Sequence, residues 1–198
     1  TELLKVDQVT VPYERAGRYF YTNRRSDQDL AVIVMRKGAE GKEEVLVVPH
    51  PLSPDHTVSV NILHVSEAGT LLAYGTRKGG EDEVAVTLLD VTTMKELPDR
   101  LPRARYFGIS IKPDRSGIFY TRFNSEGSRI FHHRMGADPA TDELLFGQGY
   151  GPEKIVASDL SEDGRQLLIG VYYGWATDRS EVYVKDVATG GPVVPIVN

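Results

Sequence analysis

Apolar residues in this chain come in short bursts of five to seven, rich in Val, Ile, Leu, Tyr and Phe, and each burst ends in a cluster of Gly, Pro, Asn, Asp or Ser. No stretch of a dozen residues keeps a 3.6-residue period, so the pattern predicts strands and turns rather than helices. One phrase recurs four times: Ala16-Gly17-Arg18-Tyr19-Phe20-Tyr21, Ala68-Gly69-Thr70-Leu71-Leu72-Ala73-Tyr74, Ser116-Gly117-Ile118-Phe119-Tyr120 and Asp163-Gly164-Arg165-Gln166-Leu167-Leu168-Ile169. Its glycines lie 52, 48 and 47 positions apart. A period near fifty means stacked structural units.

Aligned on that phrase, the units predict the same strand order. The third reads Tyr106 to Ile111, Ile118 to Phe123, Arg129 to Met135 and Leu144 to Phe146. The second reads Val60 to Val65, Leu71 to Thr76, Glu83 to Leu89 and Lys95 to Leu97. The fourth reads Ile155 to Asp159, Gln166 to Tyr173, Glu181 to Lys185 and Val193 to Val197. The first begins at Val11-Pro12-Tyr13 and continues through Tyr19 to Asn23, Ala31 to Arg36 and Val45 to Val48. Four antiparallel strands per repeat of about 45 residues predict an all-β fold of propeller blades, spanning approximately 11–50, 58–98, 105–147 and 154–197. Runs such as Tyr19-Phe20-Tyr21 and Leu167-Leu168-Ile169 lack clean alternation, which predicts central strands buried on both faces. Closed propellers have four to eight blades. Four units therefore make either a small ring or a piece of a larger one with open edges able to self-associate.

Composition narrows the chemistry. A net charge of −5 with scattered basic residues argues against a nucleic-acid partner. No cysteine is present, which removes disulfides, thiol catalysis and cysteine-bound zinc. No apolar run approaches the ~20 residues of a membrane helix. No N-terminal signal pattern is present, and the lack of cysteine suits a cytoplasm; a removed signal peptide would make the periplasm the alternative.

Candidate sites are few. His50, His56, His64, His132 and His133 form no HExxH or helical i, i+4 pair, so no metal site is expected. No Gly-x-Ser-x-Gly elbow is present; Ser110 lies in Gly108-Ile109-Ser110-Ile111-Lys112, which lacks the second glycine. Gly147-Gln148-Gly149-Tyr150-Gly151 has neither the spacing nor the Lys-Ser/Thr of a phosphate loop and reads as the crossover between units. Ser161-Glu162-Asp163-Gly164 lacks the further ligands of a calcium loop and reads as a turn. The residues alone describe a binding or scaffolding propeller with no catalytic constellation and no cofactor.

In collinear order, the phrases resemble the prolyl oligopeptidase type of serine peptidase. The resemblance rests on Arg15-Ala16-Gly17-Arg18-Tyr19-Phe20-Tyr21, Pro49 to Val58, Val65-Ser66-Glu67-Ala68-Gly69, Leu72-Ala73-Tyr74-Gly75, Lys95-Glu96-Leu97-Pro98-Asp99, Gly117 to Arg122, Ile130 to Gly136 and Leu160 to Arg165. Where the family often has Gly-Ser-Asp-Trp, this chain reads Lys78-Gly79-Gly80-Glu81-Asp82-Glu83. The resemblance implies a seven-bladed propeller, of which residues 1–198 would hold about four blades. It also implies an α/β-hydrolase domain outside this chain, carrying a Ser-His-Asp triad that cleaves short peptides after proline. The propeller would gate that site, and the chain alone would not hydrolyse peptides. By local alignment, the resemblance implies that Tyr106, Ile155 and Trp175 line the substrate cavity as an apolar wall. The implied partners are the remaining blades, the hydrolase domain and a short peptide substrate. The alternative reading is a self-contained four-bladed scaffold that binds a protein or small ligand.

Overall fold

The turn clusters close hairpins, and their side chains supply the hydrogen bonds that the turning backbone lacks. Ser66 Oγ accepts from the backbone N–H of Leu71 at 3.0 Å. Ser161 Oγ accepts from Gln166 N at 3.0 Å, and Asp114 Oδ1 from Ser116 N at 3.0 Å. Such Ser and Asp turns let the chain reverse without orphaned donors. The computed structural model describes residues 6–174 and 179–197. Its regular elements there are sixteen β-strands and two single 3-10 turns. The chain divides into two units, at Leu101 and Pro102.

In the first unit, one antiparallel sheet holds β1 (Gln8–Val9), β2 (Tyr13–Arg15), β3 (Arg18–Arg24), β4 (Val32–Lys37) and β5 (Glu43–Val47), with β1 and β2 both paired to β3. The first strand is therefore split, unlike the single Val11-Pro12-Tyr13 strand the sequence suggested. Pro12 has no N–H to give a ladder, and the Arg15↔Arg18 pairing fixes β2 from the turn side. A second sheet runs β6 (Val58–Val65), β7 (Leu71–Lys78), β8 (Val84–Asp90) and the start of β9 (Lys95–Ile111). Phe20, Ile33 and Met35 of the first sheet pack with Val60, Leu72 and Tyr74 of the second. Complete burial of each large side chain stabilises by about 1.5–3 kcal/mol.

The sequence predicted two strands, Lys95 to Leu97 and Tyr106 to Ile111. The structure joins them in one strand of 17 residues, continuous through Pro98 and Pro102. Proline's fixed φ is compatible with extended backbone, so neither proline breaks the strand.

The second unit opens with the remainder of β9, followed by β10 (Gly117–Asn124), β11 (Gly127–Arg134) and β12 (Glu143–Phe146) in one antiparallel sheet. Next come β13 (Ile155–Leu160), β14 (Gln166–Tyr172), β15 (Ser180–Asp186) and β16 (Val193–Val197). Phe119 and Ile130 pack with Val156, Leu167, Ile169 and Val171. Two expectations change here. Leu167, Ile169 and Val171 of β14 are buried, but Leu168 and Tyr172 are 50% and 49% exposed, so this central strand is covered on one face only. The third glycine also does not hold its turn. Gly69 and Gly164 have positive φ and donate N–H to Ser66 O and Ser161 O; the residue that does so in the third unit is Arg115, donating to Lys112 O. Gly117 lies inside β10, where a Cβ would meet His132 Nε2 at 2.6 Å and His133 O at 2.7 Å.

Candidate functional site

Tyr106 enters its sheet at an irregularity. Gly108 pairs with Thr121, but Tyr106 pairs with Arg122, leaving Phe107 as the extra residue of a β-bulge. Bulges re-aim side chains and strengthen local twist. Gly108 itself fits because a Cβ there would stand 2.8 Å from Ser158 O on β13. Tyr106 Oη donates to the carbonyl of Pro102, and its ring meets Tyr120 edge-on at 5.8 Å. Burial pushes the Tyr106 phenol pKa up, so the ring presents a neutral apolar wall with its one polar atom satisfied.

Behind that wall, Tyr120 stacks on Phe131 at 5.4 Å and donates to Asp142 Oδ2 at 2.8 Å. Asp142 Oδ1 lies 2.8 Å from His133 Nδ1. A histidine held by a carboxylate is two of the three members of a hydrolytic triad. Here both side chains are buried, at 0% and 3% exposure, and the other Asp142 oxygen is spent on Tyr120. The pair braces β10, β11 and the start of β12, and no substrate could reach it. Arg122 completes the group, its guanidinium carbon 4.3 Å above the Phe131 ring.

Ile155 is the first residue of β13, half-buried and paired with Tyr172. It occupies the place in its sheet that Tyr106 holds near the opening of the preceding one. Beside it, Lys154 Nζ lies 4.6 Å over the Tyr173 ring and 5.3 Å over Tyr150. Three phenols converge on Glu181: Tyr150 donates at 2.5 Å, Tyr183 at 2.9 Å, and Tyr173 also donates. These hydrogen bonds, Tyr150's first, hold the Glu181 carboxyl down at about 2. Arg179 stacks on Tyr173 at 4.3 Å. Trp175 lies outside the described residues.

The arrangement offers aromatic walls, seated cations and saturated carboxylates. Among the described residues no group of three His, Asp or Glu side chains is gathered as a metal site would require. Sequence reasoning missed Arg122, Lys154 and Glu181. The missed signal was the interleaving of Arg105, Arg122, Lys154 and Arg179 with Tyr and Phe on neighbouring strands, which appears only once the register is known.

Residues 1–198 match the family model described as the prolyl oligopeptidase N-terminal β-propeller domain. The chain belongs to that family. A prolyl endopeptidase from Elizabethkingia meningoseptica is 28% identical over 99% of this chain, and Protease 2 from Moraxella lacunata is 27% identical over 96%. The chain spans about 29% and 28% of the length of these two relatives. A structure from a study of two prolyl endopeptidases superimposes on the whole chain with a TM-score of 0.89 at 27% identity, covering 30% of that protein. Prolyl oligopeptidase B from Galerina marginata, bound to a 35mer substrate, gives 0.80 at 18% identity over 100% of this chain and 31% of its own. The sheets described above are thus prolyl oligopeptidase propeller blades, of which a complete domain in this family has seven.

Proposed function

We propose that this chain is the non-catalytic propeller portion of a serine peptidase that cleaves short peptides after proline, and that it gates their access to a hydrolase domain. The match of the whole chain to the family's propeller model carries the reading. The site supports it: an aromatic wall at Tyr106 with a satisfied hydroxyl and an apolar Ile155 at the start of its strand. Such surfaces orient and exclude; they do not break bonds.

The test joins this chain to a family hydrolase domain in one polypeptide. That protein should hydrolyse a short proline-containing peptide and leave a folded protein of the same sequence context intact. Equal rates on both substrates would remove the gating role. Absence of peptide hydrolysis from the joined protein would remove the peptidase assignment itself.

A further inference from the structure

In the second unit Arg122 combines an aromatic seat with an unpaired donor. It stands directly across from Tyr106, so the two share one face of the sheet. Its guanidinium is seated on Phe131 at 4.3 Å, and Arg122 Nε is buried without a hydrogen-bond partner. Buried donors are normally paired, and an unpaired one is costly to keep. Arg15, Arg36 and Arg77 also have a buried Nε without a hydrogen-bond partner, but Arg15 lies 3.3 Å from Glu67 and Arg36 3.4 Å from Glu43, and none of the three is on the strand pair that carries Tyr106. On the face that Tyr106 shares, Asp142 spends one hydrogen bond on Tyr120 and one on His133.

A guanidinium seated on a ring, with a donor left over, presents a fork of N–H groups to a planar anion. We propose that Arg122 binds a carboxylate of the peptide lying against Tyr106, so that the domain favours anionic peptides. The inference rests on the peptide-gating reading above and specifies the substrate class. The carboxylate could be an acidic side chain or the peptide's own C-terminus; both present the same two oxygens.

Three fluorescent peptides distinguish these sources with the 198-residue chain: acetyl-Gly-Pro-Glu-Gly-amide, acetyl-Gly-Pro-Gln-Gly with a free C-terminus, and acetyl-Gly-Pro-Gln-Gly-amide as the neutral reference. Anisotropy titrations should show one or both anionic peptides binding about tenfold more tightly than the neutral one, with the preference shrinking as salt is added. Arg122→Gln should bring all three affinities within about twofold of one another, and Arg122→Lys should restore part of the preference. Thermal melts confirm that each variant is folded. Equal affinities in the unaltered chain, or a preference that survives Arg122→Gln, would overturn the assignment while leaving the gating role untouched. Failure of the chain to bind any of the three would also overturn it, whereas the gating role stands or falls on the hydrolysis experiment.

Discussion

Tyr74 Oη donates to Glu96 Oε1 at 2.7 Å, from the second strand of its blade to the fourth, across 22 positions of sequence. The same bond at the same spacing joins Tyr21 to Glu43 at 2.8 Å and Tyr120 to Asp142 at 2.8 Å. Each phenol reaches over the third strand and pins the outer one. The fourth blade departs from this. The turn bonds Ser66 N→Leu71 O, Lys112 N→Gly117 O and Ser161 N→Gln166 O place Leu71, Gly117 and Gln166 in register. Three residues on stand Tyr74, Tyr120 and then Ile169, which has no hydroxyl. There the polar anchor is Glu181 with its three phenols instead.

Burial should rank these latches. Asp142 is 3% exposed and would be left with a buried unanswered oxygen by Tyr120→Phe, at a cost of about 1.5–3 kcal/mol. Glu96 is 51% exposed and keeps Arg100 at 2.8 Å, so Tyr74→Phe should cost about 1 kcal/mol or less. Urea denaturation of the two variants checks the order; a larger loss from Tyr74→Phe would refute the burial argument.

Stability should fall at both ends of the pH scale for opposite reasons. The Glu181 carboxyl is lowered from 4.5 to about 2 by its phenol hydrogen bonds, so its contribution is complete above pH 4.5 and is lost as pH falls toward 2. The Tyr74 phenol is raised from 10 to about 12, by burial first and its bond to Glu96 second. Its contribution is complete below pH 10 and is lost as pH rises toward 12. Melting temperature against pH should therefore drop in both windows. Glu181→Gln should make the acid limb shallower, and Tyr74→Phe should make the alkaline limb shallower while leaving the acid limb unchanged.

Turn chemistry made the blades readable: clusters of Gly, Pro, Asp and Ser mark the hairpins within each sheet and the crossovers between sheets. The chain was harder to read where tertiary context decides. Pro98 and Pro102 look like breakers, yet one strand runs through both. Leu168 looks like core, yet its face of β14 has no cover. Gly117 looks like the repeat's turn glycine, yet a histidine ring and a carbonyl claim its Cβ space. At the candidate site, the resemblance to the family implied Tyr106 and Ile155 as lining residues; composition and periodicity did not single them out. Arg122 became visible only through the bulge that sets it opposite Tyr106.

The glycines of the repeated phrase should respond differently to alanine. Gly17 has φ +74° with open space around it, so Gly17→Ala should cost only left-handed strain, about 1 kcal/mol. Gly69 has φ +62°, and a Cβ there would lie 2.9 Å from Arg15 O. At Gly164, with φ +71°, it would lie 2.5 Å from Pro113 Cδ. Those two substitutions should cost at least about 1 kcal/mol more than Gly17→Ala. Equal losses at all three, measured by denaturation, would show that backbone strain alone governs these turns.

The uncovered face of β14 should make this chain self-associate. Leu168 and Tyr172 point to the same side, as alternate residues of a strand must, and are 50% and 49% exposed. With Ala157, Gly170 and Val182 they line a shallow cavity of about 170 Å³. Val194, Ile196 and Val197 on the edge strand β16 are also 45%, 57% and 53% exposed. An apolar sheet face beside an apolar edge is a standing template for association, relieved only where Pro195 removes a donor. Sedimentation velocity should show a species larger than the monomer whose share grows with concentration. Leu168→Gln with Tyr172→Gln should shift that equilibrium toward monomer without lowering the melting temperature, because neither side chain belongs to the buried cluster of Leu167, Ile169 and Val171. A monomer at every concentration, or association unchanged in the double variant, would mean that this face is not what joins the copies.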